Sequence, residues 1–132
     1  MTPNPFTIAR KATLAQAHAL MREHGIRHLP VMDDGELCGL VSERDLRLVE
    51  TFADSDPSEV LVEEAMTERP FIVTSDAPLD DVAEIMGEHK YGSVVVMGRA
   101  GIEGIFTATD ACLAFARMLR DTEREDLLET AP

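Results

Sequence analysis

Gly39-Leu40-Val41-Ser42-Glu43-Arg44-Asp45 is matched further along the chain by Gly104-Ile105-Phe106-Thr107-Ala108-Thr109-Asp110. Both stretches read glycine, two apolar residues, Ser or Thr, two variable residues, then Asp. Residue 39 aligns with residue 104, an offset of 65 residues, and the register holds outward without a gap. Met1-Thr2 aligns with Met66-Thr67, Pro5-Phe6 with Pro70-Phe71, and Glu23-His24 with Glu88-His89. Val31-Met32 aligns with Val96-Met97. Chance does not readily keep one register across Gly, Pro, His and Asp together, so the chain reads as two copies of one unit.

Each copy has the same plan. A short strand comes first, Phe6-Thr7-Ile8 and then Phe71-Ile72-Val73. A helix follows. In the first unit Thr13 and Gln16 have capping-box spacing, and Leu14, Ala17, Met21 and His24 share a stripe. In the second, Pro78 suits a first helical position before Leu79, Val82, Ile85, Met86 and His89. A hairpin comes next, His28 to Met32 and Leu37 to Val41 joined through Asp33-Asp34-Gly35-Glu36, with Ser93 to Met97 and Ile102 to Phe106, joined through Gly98-Arg99-Ala100-Gly101, as counterparts. A second helix closes each unit, from near Arg44 to Phe52 and from near Thr109 to Arg120. The expected organisation is unit 1 over 1–53, a linker with a short helix over 54–65, unit 2 over 66–121, and a fraying charged tail over 122–132. The fold class is α+β: two β-α-β-β-α units. Each has a three-stranded sheet with helices on one face. One such unit buries only a thin core. Two would pack sheet to sheet about a pseudo-twofold axis, creating clefts at the joint where ligands commonly bind.

Composition narrows the function. The chain has 132 residues, 45% of them hydrophobic and 28% charged, with a formal net charge of -13. Such acidity disfavours nucleic-acid and anionic-membrane partners, whose binding rests on clustered Lys and Arg. An anionic ligand needs a few locally placed cations instead. No apolar run approaches the ~20 residues of a membrane span, and Met1-Thr2-Pro3-Asn4-Pro5 does not read as a secretory leader. The expected location is the cytoplasm. Cys38 and Cys112 form no CxxC pair and occupy non-equivalent places, so neither a disulfide nor a zinc site is expected. His24 and His28 are four apart, but Gly25 between them ends the helix, so no metal site is expected there.

The repeated motif has two physical readings. Ser or Thr followed three residues later by an acid is an N-capping arrangement, and the acid favours the positive end of the helix dipole. The same helix end can offer N–H groups to a phosphate, and a carboxylate there can accept both hydroxyls of a ribose. The readings are compatible.

The order strand, helix, hairpin, motif, helix resembles a CBS domain. Gly25-Ile26-Arg27-His28-Leu29-Pro30-Val31-Met32-Asp33 followed by Gly39 to Asp45 is very similar to that family's signature. The resemblance spans about residues 1–121 and implies a tandem pair, or Bateman module, that binds AMP, ADP or ATP, with S-adenosylmethionine ranked behind them. It implies one site in which Asp45 holds the ribose and Ser42 lies beside the phosphate. Arg44, Arg27 and His28 would meet the phosphates, and Thr7, Ile8, Leu29 and Pro30 would line the base. The other site would use Asp110 and Thr107, with Ile72, Val73, Val94 and Val95 around the base. Arg27-His28 against Gly92-Ser93, and Arg44 against Thr109, mark the first as the better anion site. The apolar face of the last helix, with Ala111, Phe115 and Leu119, has two readings: burial within the monomer, or the homodimer through such helices that the resemblance implies.

Three function classes follow. A regulatory module would let the ligand bridge the units, shift their pose and signal to an effector protein. An enzyme is not expected, because the sequence carries no nucleophile–base pairing, no paired catalytic carboxylates and no Walker A loop. A ligand-free interaction scaffold, in which the motifs are only caps, is the rival reading.

Overall fold

The computed structural model describes residues 2–3, 5–53 and 56–130, with side chains described from 5 to 51 and 56 to 124. Its first unit runs β1 (Thr2–Pro3), β2 (Ile8–Ala9), α1 (Leu14–His24), β3 (His28–Asp33), β4 (Glu36–Ser42) and α2 (Glu43–Ala53). A 3-10 turn (Val62–Glu64) leads to the second: β5 (Thr67–Glu68), β6 (Ile72–Thr74), α3 (Leu79–His89), β7 (Ser93–Gly98), β8 (Gly101–Thr107) and α4 (Ala108–Thr130). The fold is α+β, with two sheets and four α-helices among the described residues, as the repeat implied.

Local chemistry explains the elements. Thr13 Oγ1 accepts from Gln16 N, and Gln16 Oε1 accepts from Thr13 N, so the expected capping box closes α1. Gly25 ends the helix in the left-handed region at φ 62°, where a Cβ is penalised. Leu14, Ala17 and Met21 are buried on the predicted stripe; His24 is exposed and stacks on Phe6 at 3.7 Å instead. In α3 the buried residues are Val82 and Met86, while Leu79 and His89 are exposed and Pro78 caps the helix from just outside it. Asp34 and Gly35, both at positive φ, make the two-residue turn between β3 and β4.

The sheets hold the main departure from expectation. Each has four strands rather than three, in the orders β2-β3-β4-β5 and β1-β8-β7-β6. The fourth strand comes from the other unit's leading segment. Thr67 and Glu68 pair with Leu40 and Gly39, and Thr2 and Pro3 pair with Ile105 and Gly104. Both exchanges obey the 65-residue register. The exchange belts the units together and fixes their relative pose. Glu63 adds a tie, accepting from Arg10 Nε at 2.7 Å and Lys11 Nζ at 2.8 Å, which anchors the turn leading into β5.

Strand alternation sorts the core into layers. Leu29, Val31 and Val41 face α1 and α2 with Leu14, Met21 and Leu46. Val94 joins Val82 and Met86 beneath α3. Leu40, Val95 and Ile105 form a third cluster between the two sheets, with Leu37, Met97 and Ile102 around it.

Other boundaries shift modestly. β2 and β6 start later than Phe6 and Phe71, and the expected linker helix is one 3-10 turn. The last helix continues to Thr130, past the Arg120 end and fraying tail read from the sequence. Residues 121–124 are exposed on that helix rather than in a coil. Linker positions 54 and 55 and the last two residues lie outside the described set.

Candidate functional site

Both motifs sit at strand-to-helix junctions, β4 into α2 and β8 into α4. In the first, Ser42 N donates to Asp45 Oδ2 at 2.9 Å and Asp45 N donates to Ser42 Oγ at 3.1 Å. In the second, Thr107 N donates to Asp110 Oδ2 at 2.9 Å and Asp110 N donates to Thr107 Oγ1 at 3.2 Å. These are reciprocal caps, so the capping reading of the motif is correct as far as it goes. The loop before each hairpin is tied to the same helix start: Glu43 N donates to Arg27 O and Ala108 N to Gly92 O, both at 2.9 Å. Two of the first three N–H groups of α2 are thus used internally. An anion at this helix end has to be met mainly by side chains.

The motif glycine has a steric reason. A Cβ on Gly39 would lie 2.5 Å from Met66 Sδ and 2.9 Å from Thr67 O, where β5 crosses onto β4. The position lets the second unit's strand approach, and that strand helps wall the cleft.

A cleft of about 710 Å3 opens beside the first motif. Arg27, His28, Ser42, Arg44 and Asp45, all expected site residues, line it together. So do Thr67, Gly92 and Ser93 of the second unit, so the cleft lies between the units. An adjoining cleft of about 240 Å3 shares Leu40, Thr67, Gly92 and Ser93 and continues to Phe71, Lys90 and Tyr91. Phe71 and Tyr91 pack at 5.2 Å between ring centroids, tilted by 39°. The combined cavity has a cationic, carboxylate-bearing end and an aromatic end, within the size range of small-molecule sites.

His28 is half-buried at the joint. Burial pushes its imidazole below the ordinary value of 6.5, while Asp45 and Asp110 pull it up and Arg27 pulls it down. The two motif carboxylates therefore act on one histidine. Arg27-His28 and Gly92-Ser93 line the same cleft, one pair from each unit. The asymmetry lies in α2, where Glu43, Arg44 and Arg47 stand opposite Ala108, Thr109 and Cys112 of α4 in the repeat register.

The expected base-lining residues are elsewhere. Ile8 and Leu29 are buried in the first unit's core, and Val94 in the second's. Val95 is buried between the sheets, and Val73 packs against the cluster under α3. Pro30 is fully buried. Thr7 is exposed beside β2 and is not part of the cleft wall. Ile72 instead lines an apolar groove of about 380 Å3 at the hairpin ends, with Met32, Leu37, Met97 and Ile102. Alternation is the physical reason: neighbours such as Leu29-Pro30 and Val94-Val95 point to opposite sheet faces and cannot share one pocket. Sequence reasoning missed Arg47, Glu43, Thr67, Phe71 and Tyr91. The strand exchange hid the last three. Arg47 was findable, one helical turn beyond Arg44.

Two repeat units joined by exchanged strands, with a capped Ser/Thr-x-x-Asp junction beside an inter-unit cleft, define one tandem module rather than two independent domains. The chain belongs to the CBS-domain family, whose model matches residues 1–50 and again residues 62–117. It is 34% identical over 101 residues to the uncharacterised protein YlbB of Bacillus subtilis (strain 168), covering 75% of this chain and 68% of that one. The structure of CBSX2 in complex with AMP matches with a TM-score of 0.69 and 27% identity, over 89% of this chain and 93% of that one. The CBS domain pair of MJ0100, in complex with 5'-methylthioadenosine and S-adenosylmethionine, matches with a TM-score of 0.78 and 25% identity, over the same two shares. No helix among the described residues is long and apolar enough to cross a membrane.

Proposed function

We propose that this CBS pair is a regulatory module that binds an adenosine nucleotide (AMP, ADP or ATP) in the cleft between its units and passes the change to a partner protein. The observation that carries this is the cleft itself: Asp45 and Ser42 at a helix start, ringed by Arg27, His28, Arg44 and Arg47 in a chain that is otherwise strongly acidic. Asp45 Oδ2 holds the helix cap, and the carboxylate's other oxygen, Oδ1, is the atom to meet a ribose hydroxyl. The arginines and His28 meet phosphate, and Phe71 and Tyr91 offer a surface for the base. Thr107 and Asp110 form the second, less cationic site. The AMP-bound and S-adenosylmethionine-bound relatives support an adenosine-type ligand. The concentration of arginines favours a phosphorylated one here over S-adenosylmethionine.

The module works with residues 1–53 and 66–121 as its two units, without catalysis, in the cytoplasm. It forms a homodimer through the exposed apolar residues Phe115, Met118 and Leu119, spaced three and four apart on α4.

The reciprocal caps favour a second reading, a ligand-free scaffold, since capping alone accounts for Ser42-Asp45 and Thr107-Asp110. It leaves the arginines around Asp45 without a role. Thermal melts separate the two. A ligand at about 100 times its dissociation constant adds roughly 2.7 kcal/mol to stability. The nucleotide reading expects such a shift with AMP, ADP or ATP; melts unmoved by millimolar amounts of all three leave only the scaffold.

A further inference from the structure

Three arginines, Arg27, Arg44 and Arg47, line the cleft, and one carboxylate stands between two of them. Arg47 Nη2 donates to Glu43 Oε1 at 2.6 Å, and Arg27 Nε lies 3.9 Å from Glu43 Oε2. Each carboxylate oxygen faces a different guanidinium, the arrangement a phosphate adopts between two arginines. The Glu43 side chain is 32% exposed, against 82% for Arg27 and 72% for Arg47. Glu43 is thus the less exposed member of both pairs.

The ordinary account of the Arg47 contact is a surface pair one turn apart on a helix, which contributes little. That account does not cover Arg27, which comes from the loop before β3. Nor does it cover how charge is distributed over the repeat. In the 65-residue register, Arg27, Glu43, Arg44 and Arg47 correspond to Gly92, Ala108, Thr109 and Cys112, all uncharged. The acid and the arginines occur as a set, in one unit, on one cleft.

We propose that Glu43 is a built-in competitor for the ligand's phosphate. It holds Arg27 and Arg47 until a more highly charged group displaces it, and so sets how much negative charge a ligand must carry to bind. The inference rests on the reading of the cleft as an adenosine-nucleotide site. It makes Glu43 a specificity-determining residue: in the wild-type protein the acid lowers the step in affinity from adenosine to AMP and raises the step from AMP to ATP.

The test is titration calorimetry with adenosine, AMP and ATP on the wild type, Glu43→Gln, Arg47→Gln and the double variant, each first shown to be folded by its melt. Glu43→Gln should raise AMP affinity roughly fivefold, the scale of one unit charge at about 4 Å near water. Adenosine affinity should stay level, and the ratio of ATP to AMP affinity should fall. Arg47→Gln should cost more AMP affinity in the Glu43→Gln background than in the wild type, because only there is the guanidinium free of its internal partner. Glu84→Gln, which removes the same charge from the exposed surface of α3, should change nothing. The inference is overturned if Glu43→Gln leaves AMP affinity unchanged, raises adenosine affinity equally, or is matched by Glu84→Gln. Absence of AMP and ATP binding to every form defeats the nucleotide reading itself, and the inference with it.

Discussion

Asp45 caps its own helix before it can hold a ligand, so its replacement has two separable consequences. Loss of the cap in Asp45→Ala should lower ligand-free stability by about 1 kcal/mol. Loss of nucleotide affinity is a further effect, read by titration rather than by melting temperature alone. His28 gives a prediction of different kind. Its folded-state affinity for a proton lies below the unfolded value of 6.5 because burial outweighs the pull of Asp45 and Asp110. Between the two values the unfolded chain binds more protons, so stability rises with pH there and is lost as pH falls through about 6.5. Urea titrations at intervals from about pH 5 to 7.5 should show a flatter dependence for His28→Gln than for the wild type; identical slopes would mean that the imidazole is not held neutral by the fold. At this scale the sequence grouped Asp45, Ser42, Arg44, Arg27 and His28, and all five line one cleft, because helix starts and strand ends place residues by short-range rules. It failed for Leu29 and Val94, where two consecutive strand residues were assigned to one pocket against the two-residue period of a strand.

At the scale of elements, the two-residue strands β1 and β5 decide more than the long helices. They were illegible in the sequence because Thr2–Pro3 and Thr67–Glu68 are too short to show alternation, and their partners lie in the other unit. The motif glycine was the available clue. With Met66 Sδ and Thr67 O inside normal contact distance of any Cβ at position 39, Gly39→Ala must push β5 off β4. We expect a loss of at least about 1 kcal/mol in urea unfolding, on the scale of overpacking penalties. Gly87→Ala is the matched contrast: it sits within α3 with nothing within 4 Å of the added methyl, and should stabilise by about 0.5–1 kcal/mol. If the two substitutions have equal effects, the strand crossing does not govern the pose of the units. The helices were easier to read. The Thr13–Gln16 box and the Leu14, Ala17, Met21 stripe appear as expected, since both are set within a few residues. The end of α4 was not, because the charged residues after Arg120 suit an exposed helix as well as a coil.

For the whole molecule, the pseudo-twofold follows from the 65-residue register, and sheet-to-sheet packing follows from units too small to bury both faces alone. What the register could not reveal is that Arg27-His28 and Gly92-Ser93 line one cleft, although each loop is tied to its own unit's helix start. Exposed apolar surface on α4 argues for a second copy. Sedimentation should show a dimer that Phe115→Glu with Met118→Glu turns into a folded monomer; a wild-type monomer at every concentration would remove that part of the account. The central claim is that the cleft at Ser42 and Asp45 takes a phosphorylated adenosine ligand. Calorimetric titration of AMP into the wild type, Asp45→Ala and Asp110→Ala tests it most directly. The account predicts a tighter binding event that Asp45→Ala abolishes and Asp110→Ala retains. Full AMP affinity in Asp45→Ala, or two equal events in the wild type, would contradict it.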